Sequence, residues 1–144
     1  MTAKDYYIFD VDGFFRDYKK NKRRLRDLEW EKAQAITSGG MDYAKPKVTG
    51  GLPVSSVESK AELIMKYDGQ IAELQDYFKR VEKFFGILTE EEKTIADSYF
   101  IQGRRNRYGI DAIGYKCGRS RASVYRTIQD IRSKIRRYVE REGA

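Results

Sequence analysis

The chain has 144 residues, with 29 Lys and Arg against 22 Asp and Glu, for a net charge of +7. An aromatic content of 13% argues against disorder, and the length allows one or two small units with a real core. With no histidine and a single cysteine, Cys117, an intrachain disulfide and an ordinary zinc site are excluded; no apolar run reaches the roughly 18 residues of a membrane span, and no cofactor is implied.

Met1-Thr-Ala-Lys-Asp leads into a mixed polar segment, so no secretory signal is expected, and a lone cysteine fits a cytoplasmic setting. Residues 5–37 predict a long helix capped by Asp5. Tyr7, Val11, Phe14, Tyr18, Leu25, Leu28 and Ala35 fall on one heptad seam, which Asn21 and Lys32 interrupt. The other faces carry charge: Lys19, Lys20, Lys22, Arg23, Arg24, Arg26, Asp27, Glu29 and Glu31. Within this segment, Phe9-Asp10-Val11-Asp12-Gly13 imitates the first motif of haloacid-dehalogenase-like phosphatases. In that family one Asp accepts the phosphoryl group and the next is a general acid. Phe14 stands where the family has Thr, and no alternating strands and helices follow. Asp10 and Asp12 therefore read as solvated acids early in a helix, favoured by its dipole.

Residues 38–55 hold four glycines and both prolines and predict a long crossover loop. The loop lacks the Gly-Lys-Ser/Thr of a phosphate-binding loop. From 56 to 86 the chain predicts its clearest helix, opened by a Ser55–Glu58 capping box. Ile64, Tyr67, Ile71, Leu74, Phe78, Val81, Phe85 and Leu88 follow spacings of 3 and 4 without a miss. The two long helices would each span about 45 Å. Residues 1–87 are expected to form a long antiparallel helical hairpin and an oligomerisation element. Its seam can be closed within the hairpin or by a second chain.

Residues 88–144 read as a second unit. Thr89-Glu-Glu-Glu92 is a capping box opening a helix to about Gln102, with Ile95, Ala96, Tyr99 and Phe100 inward. Gly103-Arg-Arg-Asn-Arg-Tyr-Gly109 is a basic loop. From Ile110 to Gln129 come a short helix, a turn at Gly118 that can take positive φ, and a helix capped by Ser120. Gly114 lets the two helices approach. Ile113, Cys117, Val124 and Ile128 are spaced to bury one face of each. The last helix runs to about Arg141, with Val124, Ile128, Ile131, Ile135 and Tyr138 inward. No strand is predicted, and the fold class is all-α. Charge is uneven: from Arg104 to Ala144 there are 12 basic and 4 acidic residues, against 17 and 18 in the rest. That asymmetry is the electrostatic footprint of a nucleic-acid-binding end.

The outward face of the helix opening at Ser120 carries Ala122, Arg126, Gln129 and Ser133, flanked by Ser123 and Tyr125, a set that suits the major groove. Ile113-Gly114, Gly118, Ser120 and Val124 resemble DNA-binding helix-turn-helix motifs. With Leu88-Thr-Glu-Glu-Glu before and Ile131…Ile135-Arg-Arg after, the stretch Leu88–Tyr138 is similar to the fourth conserved region of bacterial sigma factors. Arg119 departs from that pattern where an aliphatic residue is usual, and Thr127 where Ile or Leu is. The resemblance implies that the Ser120 helix enters the major groove of double-stranded DNA. Arg126 and Gln129 would meet base edges and Ala122 a thymine methyl. Arg119, Arg121, Ser123, Tyr125, Arg136 and the loop residues Arg104, Arg105 and Arg107 would meet phosphates or flank the groove.

The whole layout resembles the phage late-gene regulators of the ArpU and RinA type. That implies a transcriptional regulator of late phage genes, such as those for packaging and lysis. A homo-oligomer, a dimer above others, in the cytoplasm of a bacterial host is expected, with double-stranded DNA and RNA polymerase as partners and no membrane. A phage small terminase subunit, or a helical interaction module acting on polymerase, is the alternative. An enzyme is not expected. Paired acids are missing from the motif face, and Cys117 reads as a small buried residue rather than a nucleophile.

Overall fold

A computed structural model describes residues 8–37 and 53–142, and every regular element among them is helical. Helix α1 is Val11–Arg16 and α2 is Tyr18–Thr37. Helix α3 is Pro53–Gly86, and α4 is Glu90–Ala96, continued by a wide π-helical turn over Asp97–Ile101. Helix α5 is Arg107–Cys117 and α6 is Arg121–Glu142. The all-α expectation holds for the described residues. The Asp5 cap, Tyr7, most of the crossover loop and the Ser55–Glu58 side-chain pair lie outside them.

Several boundaries differ from expectation for local reasons. The segment expected as one helix over 5–37 is broken at Asp17, where ψ is 2°. Asp10 supplies the cap of α1, its Oδ1 accepting from the Gly13 N–H at 2.9 Å. Helix α3 begins at Pro53, a residue whose fixed φ suits a first helical position. Helix α5 begins inside the expected basic loop, because Asn106 Oδ1 accepts from the Gly109 N–H at 2.7 Å and caps it. The Thr89–Glu92 capping box is present in both directions, at 2.9 and 3.2 Å.

The chain divides into two compact units, Met1–Lys19 with Lys79–Ala144, and Lys20–Phe78. The division falls at Lys19 and Lys79 rather than at residue 87, because α1 and the end of α3 supply core to the C-terminal helices. Val11, Phe15, Val81, Phe84, Leu88, Ile95, Phe100, Ile110, Ile113, Val124, Ile128, Ile131, Ile135 and Val139 are all buried in the first unit. Phe84, not the seam residue Phe85, is its aromatic centre. The Phe84 ring stands edge-on to Phe9, Phe14, Phe15 and Tyr138 at centroid distances of 5.1 to 6.3 Å. The Arg80 guanidinium lies 5.1 Å from the Phe14 ring centre. The π turn closes through a Gln102 N–H to Asp97 C=O bond of 2.8 Å, a five-residue step that puts Ile95 and Phe100 on one face.

The second unit is thinner. Lys60 Nζ donates to the Ile36 carbonyl at 3.3 Å and Lys32 pairs with Asp68 at 2.5 Å, the order of an antiparallel pairing. Among the described residues of this unit, Leu28 and Ile71 are buried, while the seam residues Leu25, Ile64, Tyr67, Leu74 and Phe78 are half-buried. Trp30, Ile36, Leu63 and Met65 are exposed.

Candidate nucleic-acid interface

Helices α5 and α6 are joined by three residues, Gly118, Arg119 and Ser120. Gly118 has φ 69°, and its N–H reaches back to the Tyr115 and Gly114 carbonyls. Ser120 Oγ accepts from the Ser123 N–H at 3.1 Å and caps α6. A Cβ on Gly114 would stand 2.6 Å from the Arg119 carbonyl oxygen and 3.5 Å from Val124 Cγ2. Glycine there is what allows α6 to turn back over α5. Ile113, Val124 and Ile128 are buried beneath the turn, and Cys117 is half-buried.

This closed inner side leaves the opposite face of α6 outward. Ala122, Arg126, Gln129 and Ser133, spaced 4, 3 and 4 apart, are all exposed, and Tyr125 is 44% exposed. Arg104 and Arg107 are exposed as well.

The two departures from the expected pattern prove to be one interaction. Arg119 Nη1 donates to Thr127 Oγ1 at 2.8 Å and to Ser123 Oγ at 3.2 Å, and its Nε pairs with Glu91 at the start of α4. Thr127 in turn donates to the Ser123 carbonyl at 3.0 Å. Arg119 thus forms a polar link from α4 to α6. Ser123 Oγ is half-buried and accepts from Arg119. Arg121 is held by Asp111 through paired bonds of 2.9 and 3.0 Å. The Arg121 bonds hold the Asp111 carboxyl below the usual aspartate range.

Two expected site residues face elsewhere. Arg105 Nη1 donates to Asp12 Oδ2 at 2.9 Å, and its guanidinium lies 4.9 Å from the Tyr99 ring centre. Arg132, which the sequence did not single out, grips both Asp12 oxygens at 2.8 Å and reaches Tyr99 Oη at 3.1 Å. Asp12 is therefore no solvated acid but the centre of a clamp, with its side chain only 20% exposed. Burial pushes its carboxyl up, yet the bonds and charges of Arg132 and Arg105 outweigh this and hold it below the ordinary range. Arg136 Nε donates to the Phe9 carbonyl at 3.2 Å. Arg105 and Arg136 thus fasten the N-terminal segment to the C-terminal helices. Glu92 plays a similar part: besides its cap it takes Lys134 Nζ at 2.7 and 2.8 Å.

Tyr108 and Tyr115, outside the motif spacing, are 86% and 93% exposed. They lie seven residues apart on one face of α5, opposite the buried Ile110 and Ile113, and that heptad spacing was the signal available. Among the described residues no group of His, Cys, Asp and Glu is placed to hold a metal ion, and no helix is long and apolar enough to cross a membrane. Comparison with known protein families, curated proteins and solved structures returned no match.

Proposed function

We propose that this protein is a sequence-specific double-stranded DNA-binding regulator of transcription, acting on phage or prophage late genes. The observation that carries the reading is the outward face of α6. Ala122, Arg126, Gln129 and Ser133 stand exposed on a helix whose other side is fully buried and whose entry is set by Gly118 and Ser120. Arg126 offers a two-pronged donor for guanine, Gln129 a donor–acceptor pair for adenine, and Ala122 a methyl contact for thymine. Arg104, Arg107 and Tyr125 are exposed as well, and their side chains suit phosphates or base acceptors. Two copies would read two half-sites, and the half-buried seam of Ile64, Tyr67, Leu74 and Phe78 supports such pairing.

Selection of bound sites from random duplex DNA tests the reading, with solution mass measured alongside. A recurrent motif with two half-sites, bound by a dimer, is the expected outcome. Binding without any sequence preference would refute the assignment of α6 as a reader. A closed ring of many copies would point to DNA packaging rather than transcription.

A further inference from the structure

The net charge of the chain outside the C-terminal region is close to zero, which conceals a dense local patch. Lys20, Lys22, Arg23, Arg24 and Arg26 place five cations in seven residues of α2, with no acid among them. All five are exposed. Among the described residues, the ion pair that α2 makes is Lys32 with Asp68, and none of the five closes an ion pair, although Asp27 stands four residues from Arg23 and Glu29 three from Arg26.

Repulsion within this cluster is only partly offset by Asp27 and Glu29. Lys20–Arg24 and Lys22–Arg26 are like charges four apart, and Lys20–Arg23 and Arg23–Arg26 are like charges three apart. Each such pair opposes the helix that carries it. A polyanion laid along the helix removes that opposition by neutralising it. Arg23, Arg26 and Trp30 follow at steps of 3 and 4 and form one ridge, and Trp30 is 64% exposed at its end. Trp30 sets a large exposed aromatic ring, able to stack or to meet a cation, beside these arginines.

The apolar residues of α2 tell against a lipid surface as the occupant. Leu25 and Leu28 are turned inward, half-buried and buried, so α2 has no continuous apolar face to lay into a bilayer. What it offers outward is a row of phosphate-sized charges and one flat ring.

We infer that the Lys20–Arg26 face of α2, with Trp30, is a second surface that binds the sugar-phosphate backbone of duplex DNA. The inference rests on the DNA-binding reading and adds a surface that carries affinity without sequence information.

The chain contains one tryptophan, so its tryptophan fluorescence reports on this patch alone. The full chain is titrated with duplex DNA carrying the selected site and long flanks. Tryptophan emission is followed together with anisotropy of the labelled duplex. A saturable change in Trp30 emission that tracks binding is expected. The variant Lys22→Gln/Arg23→Gln/Arg26→Gln, its helicity checked by circular dichroism, should bind all sequences more weakly. Its log K against log salt slope should be shallower by up to about 3, at roughly 0.9 for each phosphate no longer neutralised, with sequence preference unchanged. Normal DNA binding with unchanged Trp30 emission and an unchanged salt slope in the variant would overturn the inference and leave the α6 reading standing. A Trp30 response to phosphatidylserine vesicles but not to DNA would overturn it in favour of a membrane surface. Absence of any duplex binding by the full chain at low salt would remove both readings.

Discussion

The Asp12 clamp and the outward face of α6 are both arginine-centred, and they put arginine to opposite uses. At the clamp, Arg105 and Arg132 surround a single carboxylate at 2.8 to 2.9 Å, and the side chains are 16 to 31% exposed. On α6, Arg126 is exposed beside Gln129 and Ser133. The difference teaches that a basic segment is not a basic surface. Part of the positive charge between Arg104 and Ala144 is consumed by acids that lie far away in sequence: Asp12 and Glu91 with arginines, Glu92 with Lys134. Only what those acids leave uncovered can meet a polyanion.

Substitution at each end of the comparison should separate stability from binding. The largest effect is expected from Phe84→Ala, which empties the aromatic centre against which α1 packs and should cost about 3–5 kcal/mol in urea unfolding. Next comes Asp12→Ala, which leaves two part-buried guanidinium groups without their acceptor. A loss of about 1–3 kcal/mol is expected, discounted for the partial exposure of the site. Arg126→Ala should leave the unfolding midpoint in place while weakening binding by about 1–3 kcal/mol at one base pair of the selected site. If Arg126→Ala destabilises the fold as Asp12→Ala does, the comparison collapses.

Smaller effects sharpen the picture. Thr127→Ile alone removes an acceptor of Arg119, and Arg119→Leu alone removes a donor to Thr127. The double variant restores an apolar contact and should be more stable than the two single changes predict, by about 0.5–1 kcal/mol of coupling. Acid should act through the clamp. Asp12 titrates below its ordinary value of 3.8, so its contribution is complete above that value and is lost as pH falls through the lower, folded one. Urea midpoints measured down a pH series should fall in that acid range, and the Asp12→Asn variant should lack this part of the fall. The smallest effect is expected from Arg121→Ala, since its pair with Asp111 is solvent-exposed and should not move the midpoint measurably.

How much was legible can be judged residue by residue. The α5–α6 region was legible because its signals are local. A glycine that takes φ 69°, a serine cap, a glycine under a carbonyl and apolar steps of 3 and 4 each act within a few residues. The same holds for the Thr89–Glu92 box. The heptad seam of α3 was legible in its line but not in its burial, since Phe84 rather than Phe85 is enclosed. Burial depends on which element arrives from elsewhere, here α1 and α6 with Phe14, Phe15 and Tyr138. Arg119 and Thr127 stood out singly as departures, yet their eight-residue separation across a turn hid that they bond to each other.

By itself the sequence determined the helical class, the turn at Gly118, the cap at Ser120 and the outward line of Ala122, Arg126, Gln129 and Ser133. These follow from backbone conformation and side-chain period, which are short-range physics. Only the tertiary structure decided which charges are left over. Asp12 lies 93 residues from Arg105 and 120 from Arg132, and no pattern along the chain relates them. Ion pairing acts through space, so the charge presented by α6 and by α2 could be read only once the fold had shown where the acids go.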